Sequence, residues 1–155
     1  MIVKKEKVER TVVIVKPDAI ERRLVGKVIA RIEALGLKIG QIKRKKLTPE
    51  ECRKFYPKTR KNLPKIYAAV EKLMTENFSI VFIAEGEDAI KKVITIKGPT
   101  DLLSAPKGTI RRDFVTDKER KLHSQGKSVR NVMHAPDDKA EAEFEIELLF
   151  GKMEE

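Results

Sequence analysis

Residues 11–18 read Thr-Val-Val-Ile-Val-Lys-Pro-Asp, a short apolar run of mostly β-branched side chains that ends abruptly. A continuous apolar run of this length predicts a buried β-strand. Pro17 has no amide hydrogen to give to a sheet, so the strand is expected to end there. Lys16 is then held at a strand end with its ammonium group free.

The pattern on either side of this strand alternates between helices and further strands. A second buried strand is expected at Phe78–Ala84, and a strand with a bulge near Gly40 at residues 37–42. Apolar residues three and four positions apart predict helices over residues 24–35, 63–75, 88–97 and 140–149.

Two further elements complete the predicted order. Thr48-Pro49-Glu50-Glu51 is a helix start, and this helix is expected to end near Tyr56. Val129, Val132 and Met133 predict a last strand, after which Asp137 or Asp138 caps the final helix. Gly98–Arg111 is expected to be a long irregular loop.

The element order predicts an α+β protein with a ferredoxin-like sandwich. Without the helix pair inserted after the second strand and the final helix, the order is β-α-β-β-α-β. Four strands then form an antiparallel sheet with helices on one face. Residues 1–155 are interpreted as a single domain, with 1–8 as a flexible arm and 115–130 as an extended basic insert.

Composition indicates a soluble protein with an affinity for anions. The chain has 34 Lys and Arg against 24 Asp and Glu, a net charge of +10. Such a charge attracts phosphates on nucleic acids or small molecules, although it also suits a solvated surface. The single cysteine, Cys52, indicates a reducing compartment, and neither a signal peptide nor a membrane span is evident. The protein is expected to be cytoplasmic and free of membrane contacts.

His134 is the candidate reactive residue, because it stands where the last strand meets the final helix. An imidazole at such a junction is held by the scaffold and is nucleophilic near neutral pH. A loop histidine without a role is the alternative that its position alone leaves open.

Several short motifs along the chain resemble those of nucleoside diphosphate kinases. They occur in the right order and cover about residues 9–150: Glu9-Arg10-Thr11, Lys16-Pro17-Asp18-Ala19, Leu24-Val25-Gly26, Gly108-Thr109-Ile110-Arg111 and Asn131-Val132-Met133-His134. The resemblance implies a Mg²⁺-dependent ping-pong transfer of the γ-phosphate of ATP or another nucleoside triphosphate to a nucleoside diphosphate. It also implies a homo-hexamer, with a tetramer as the alternative.

The resemblance assigns a role to each matching residue. His134 matches the histidine that is phosphorylated on Nδ1, Glu145 the carboxylate that orients it, and Tyr56 the neighbouring tyrosine. The matching nucleotide- and phosphate-binding positions are Lys16, Thr100, Arg111, Asn131 and Ile66. Asp137 matches an acid that reaches the metal through water; as a helix cap it would need no such role.

The sequence also departs from the family pattern. Pro136 replaces a serine, and Ile94 replaces a phosphate-binding arginine. The candidates to substitute for this arginine are Lys97, Arg112 and an arginine of the insert. Ile66 stands where an aromatic residue often packs on the base. The segment before Asn131 is longer than usual by about ten residues. Glycines common in the family are replaced by Arg23 and Arg112.

These departures leave two alternatives to an active kinase. One is a divergent family member with low activity that binds nucleotides. The other is a nucleic-acid-binding module, which the charge and the fold permit. The chain has only two Tyr, six Phe and no Trp. Because it lacks an aromatic pattern for stacking bases on a strand, nucleic acid is not the expected partner.

Overall fold

A computed structural model of the protein describes residues 8–152. Its four strands form one antiparallel sheet in the order β2-β3-β1-β4, which confirms the predicted ferredoxin-like α+β fold. The strands are β1 (Val8–Val15), β2 (Lys38–Lys45), β3 (Ser79–Glu87) and β4 (Met133–His134).

Helices cover both faces of this sheet, whereas the sequence predicted them on one face. They are α1 (Pro17–Glu21), α2 (Val25–Glu33), α3 (Pro49–Phe55), α4 (Pro57–Asn62), α5 (Pro64–Glu76), α6 (Ala89–Lys97), α7 (Ile110–Phe114), α8 (Asp117–Ser124) and α9 (Lys139–Phe150). Val13 and Val15 pack into a core with α2 and α6, whereas Val12 and Ile14 pack into a second core with α3, α5 and α9. Successive residues of β1 point to opposite faces, so its apolar run is buried on both sides.

The predicted bulge in β2 is present. The pairing of β2 with β3 shifts between Ile39 and Ile42, on either side of Gly40. A Cβ added at Gly40 would lie 3.4 Å from the Cβ of Ile83, which is an ordinary to tight contact. The bulge therefore brings the β2 backbone close to the central strand β3.

The last strand is shorter than the sequence predicts. Val129 and Val132 lie outside β4, which contains only Met133 and His134. Val132 has a φ of 78°, a left-handed conformation that is unusual for a β-branched residue. Residues 129–132 are not part of a strand, and buried side chains bind several of their backbone groups, as described below.

Other differences concern the helices. Four short helices, α1, α4, α7 and α8, were not predicted; α7 begins within the predicted loop Gly98–Arg111, and α4 adds a third helix to the inserted pair. Asp138, rather than Asp137, caps α9 by accepting a hydrogen bond from the Glu141 amide. Asp88 stands before α6 with a φ of 50°, and its side chain makes no capping hydrogen bond.

The first strand begins at Val8, three residues before the predicted Thr11, and Val8 therefore does not belong to a flexible arm. The rest of that predicted arm lies outside the described residues. Between residues 8 and 152, no helix is long and apolar enough to cross a membrane.

The central strand β3 provides a test of the core. Phe82→Ala is expected to lower the free energy of unfolding by about 3–5 kcal/mol, because it removes a fully buried ring from the core beneath α2 and α6. Urea denaturation followed by circular dichroism measures this change. Val8→Ala, at an exposed end of β1, is the control and should change the value by less than about 0.5 kcal/mol. A similar cost for both variants would contradict the described core.

Candidate active site

A cleft of about 720 Å³ opens where β1 and β4 end beside each other. The turn between α3 and α4, helix α5, the end of α6 and the start of α9 form its walls. It brings together all the site residues that the sequence predicts, although they lie far apart in the chain: Lys16, Tyr56, Ile66, Thr100, Arg111, Asn131, His134, Asp137 and Glu145.

His134 is held on several sides. It pairs with Ile14 across β4 and β1, and its Nε2 lies 2.5 Å from Oε1 of the buried Glu145. The rings of Phe55 and Tyr56 approach the imidazole edge-on, with centroids 5.8 and 5.4 Å away. When Nε2–H donates to the carboxylate, Nδ1 carries the lone pair. Within the described part of the chain, Nδ1 has no hydrogen-bond partner, so it is the nitrogen available to react.

Tyr56 provides a buried hydroxyl beside this imidazole. The hydroxyl has no hydrogen-bond partner among residues 8–152. Burial raises the pKa of Tyr56 well above its usual value. The side chain therefore stays a neutral phenol that is able to donate a hydrogen bond in the cleft.

Lys16 is buried at the end of β1, where the sequence places it, but its ammonium group is not free as predicted. Its Nζ donates to the carbonyl of Val129 at 2.6 Å and to Oδ1 of Asn131 at 2.8 Å. Burial lowers the pKa of Lys16 to about 8, while the nearby carboxylate of Asp18 acts in the opposite direction. One of its three N–H groups is left for a ligand.

Arg111 joins the strand β4 to the loop before α7. Its guanidinium donates to the carbonyls of Asn131, Pro99 and Met133 at 3.3, 3.3 and 3.0 Å. Burial lowers the pKa of Arg111 to about 10. Three of its five N–H groups hold the backbone, which leaves two that can bind an anion.

Asp18 is a buried carboxylate that the sequence did not assign to the site. Its Oδ2 accepts a hydrogen bond from the Val132 amide at 3.0 Å, and the Lys16 amide donates to the Val132 carbonyl at 2.9 Å. These two bonds hold Val132 in its left-handed conformation. Asp18 also supplies negative charge beside the buried cations Lys16 and Arg111.

The remaining predicted residues line the cleft without direct bonds to His134. Thr100 is exposed in the loop after α6, and Ile66 is half-buried on α5. Asp137 is exposed just before α9, and its amide donates to Oε2 of Glu141 at 3.0 Å. Pro136 is buried.

The structure shows which candidate can substitute for the phosphate-binding arginine that Ile94 replaces. Lys97 lines the cleft, whereas Arg112 and the arginines of the insert do not. Arg120 pairs with Asp117 and Arg130 with Glu21. Ile94 packs against the core, as its spacing from Ile90 predicts.

His123 is a cleft residue to which the sequence assigned no role. It lies on α8 of the insert and is half-buried. Burial, together with the charges of Arg111 and Lys16, lowers the pKa of His123. Its position in a polar stretch of the insert gave no usable signal, because only the packing of α8 brings it to the cleft.

A family model described as nucleoside diphosphate kinase matches residues 9–155. The chain belongs to the nucleoside diphosphate kinase family. A member from Hyperthermus butylicus is 40% identical, over 93% of this chain and 93% of that protein. A member from Pyrobaculum aerophilum is 35% identical, over 95% of this chain and 97% of that protein.

Solved structures of the family have the same fold. The NDP kinase of Pyrobaculum aerophilum is 33% identical, with a TM-score of 0.80 over 93% of this chain and 96% of that one. A nucleoside-diphosphate kinase from Borrelia burgdorferi, solved with vanadate and ADP as a transition state mimic, is 30% identical. Its TM-score is 0.82, over 92% of this chain and 87% of that one. The chain is therefore a nucleotide-binding phosphotransferase with the function of a nucleoside diphosphate kinase.

The lowered pKa of Lys16 predicts how nucleotide affinity depends on pH. Lys16 has a pKa of about 8, so its positive charge is lost from the free cleft as the pH rises above 8. A bound phosphate favours the protonated ammonium group, and binding at higher pH must therefore take up a proton. ADP affinity is expected to fall about tenfold or more from pH 7.5 to pH 9.5, measured by isothermal titration calorimetry. Lysines with ordinary pKa values would give a nearly flat profile over this range, and such a profile would contradict the description.

Proposed function

We propose that this chain transfers phosphate in two half-reactions through a phosphohistidine at His134. The observation that carries the proposal is the His134–Glu145 pair at 2.5 Å, which lies in a cleft lined by the buried cations Lys16 and Arg111. The pair leaves the lone pair of His134 on Nδ1, which can act as a nucleophile, and the cations can bind phosphate oxygens.

In the first half-reaction, the Nδ1 lone pair attacks the γ-phosphorus of the triphosphate. The N–P bond forms as the bond to the β-phosphate oxygen breaks, and the diphosphate leaves with that electron pair. The Nε2–H proton stays between the ring and Glu145, whose negative charge compensates the positive charge that develops on the imidazole. In the second half-reaction, another diphosphate attacks the phosphohistidine by the reverse path.

Phosphoryl transfer requires in-line positioning and charge compensation more than covalent help from the protein. Lys16 and the two free N–H groups of Arg111 are suited to phosphate oxygens, and the Tyr56 hydroxyl is a neutral donor beside the imidazole. Thr100 adds an exposed hydroxyl on the cleft wall. Each of these groups stands ready before substrate arrives, which lowers the cost of reorganisation.

Magnesium is the cation proposed to accompany the nucleotide, where it would neutralise charge on the phosphate oxygens. Within residues 8–152, no group of three or more His, Cys, Asp or Glu residues forms a metal cage. This agrees with Mg²⁺ chemistry, because Mg²⁺ is usually held by substrate phosphates, waters and one or two carboxylates. Asp137, an exposed carboxylate at the cleft, is the residue proposed to reach it through water.

The nucleoside is proposed to lie between Asn131 and Ile66. The Asn131 side chain would bind sugar hydroxyls, and Ile66 would pack on the base through a half-buried aliphatic surface. An aliphatic wall makes no base-specific hydrogen bond, so discrimination among bases is expected to be low.

His134→Ala tests the nucleophile. The wild-type protein, incubated with Mg²⁺ and γ-labelled ATP, is expected to gain about one acid-labile phosphate per chain, whereas the variant gains none because it lacks the attacking nitrogen. Quantitative labelling with mass spectrometry measures this result. His123→Ala is the matched control, since it removes the other histidine of the chain and should keep the label. Labelling that persists in His134→Ala would contradict the assignment.

Pro136 and Ile94 depart from the family pattern, so the rate of turnover has to be measured separately. If the labelled enzyme passes its phosphate to several nucleoside diphosphates, the chain is an active kinase. Nucleotide binding with slow or no transfer would instead identify the divergent low-activity member. Single-turnover transfer to ADP, GDP, CDP and UDP distinguishes the two outcomes.

The assembly and location belong to the same proposal. A homo-hexamer is proposed from the family resemblance, with a tetramer as the alternative, and sedimentation equilibrium decides between them. A cytoplasmic location is proposed from the single, buried cysteine, which suits a reducing compartment.

A further inference from the structure

Lys97 is a buried cation whose position the transfer described above does not explain. It is the last residue of α6 and lines the cleft, yet only 8% of its surface is exposed. Within residues 8–152, its ammonium group forms no hydrogen bond and no ion pair with a protein group. Most of the side chain is buried, but the ammonium nitrogen itself is open to the cleft. The chain therefore presents an unpaired charge at a place that a ligand can reach.

Arg111 connects the end of α6 to His134. Its guanidinium donates to the carbonyls of Pro99, two residues after Lys97, and of Met133, the residue before His134. Burial and the charge of Arg111 lower the pKa of Lys97 to about 8, whereas the charges of Asp137, Glu145 and Glu141 act in the opposite direction. Lys97 and His134 therefore line the same part of the cleft.

The three buried cations of the cleft differ in hydrogen-bonding capacity. Lys16 already uses two of its three N–H groups on protein oxygens, and Arg111 uses three of its five. Lys97 retains all three. It is therefore the buried cation with the most donors left for a phosphate oxygen.

Packing keeps Lys97 at this place. Val93 is fully buried and Ile94 packs against the same core, so one face of α6 is anchored beneath the sheet. Gly98, with a φ of 93°, ends the helix, and a Cβ there would lie 3.0 Å from Oγ1 of Thr109. This close approach ties the end of α6 to the start of α7, from which Arg111 projects. Lys97 and Arg111 are thus presented to the cleft by elements packed against each other.

We propose that Lys97 binds the phosphoryl group that moves between the nucleotide and His134. The inference rests on the proposed function, since it assigns a ligand within that site. In this role, Lys97 supplies positive charge to the non-bridging oxygens of the transferred group and exchanges no proton with it. Its contribution is larger in the transition state than toward a diphosphate, which lacks the transferred group.

The test compares Lys97→Met, which removes the charge but keeps the length, with Lys97→Arg, which keeps the charge. The rate of phosphohistidine formation at saturating Mg²⁺-ATP is measured by rapid quench, and ADP affinity by calorimetry. Lys97→Met is expected to slow phosphohistidine formation about 10- to 100-fold, the size of one charge-assisted hydrogen bond. Its ADP affinity should change less than about threefold, and Lys97→Arg should recover most of the rate.

A stability measurement separates this role from a structural one. Removing an unpaired ammonium group should leave the urea midpoint of the ligand-free protein unchanged or raised. Lys91→Met, on an exposed position of the same helix, is the control for loss of one positive charge and should match the wild type in rate. A rate for Lys97→Met within twofold of the wild type would overturn the inference. A lowered urea midpoint without rescue by arginine would also overturn it.

The two proposals fail in different ways. A wild-type protein that labels at His134 at the same rate as Lys97→Met rejects only the role of Lys97. A wild-type protein that gains no phosphate rejects the proposed transfer. In that case, tripolyphosphate binding decides the role of Lys97: affinity reduced about tenfold in Lys97→Met supports a polyphosphate contact, and equal affinity rejects it.

Discussion

The site depends on buried side chains that bind the backbone of residues 129–133. Lys16 and Arg111 donate to its carbonyls, and Asp18 accepts from the Val132 amide. A strand of only two residues has few ladder bonds to hold it in place, so these bonds complete the positioning of His134. They also explain why Val132 adopts a left-handed conformation, which a regular strand would not require.

The same arrangement places several positive charges in a region of low dielectric constant. Burial lowers the pKa of Lys16 and Lys97 to about 8 and that of Arg111 to about 10, which shows how costly these charges are in the free protein. Phosphate binding relieves this cost, since an anion replaces the missing counter-charge. These buried charges thus lower the stability of the fold, but they form a cleft that is already organised for a charged substrate.

Much of the fold was predictable because it depends on local patterns. The bulge at Gly40 came from a slip in alternation and the α3 start from a capping box, and both are present. The length of β4 was not predictable. Val129 and Val132 are residue types typical of a strand. However, the side chains of Lys16 and Asp18, more than a hundred residues away in sequence, bind the Val129 carbonyl and the Val132 amide.

For the site, the sequence by itself determined the motifs and their order along the chain. These motifs indicated the family and identified His134 as the candidate nucleophile. Only the tertiary structure decided which cations reach the cleft. Lys97, Arg112 and the arginines of the insert were equal candidates in the sequence, and packing brought Lys97 alone of these to the cleft within the described residues. The reason is physical: motif order follows the chain, whereas access to a cleft depends on how distant segments pack around it.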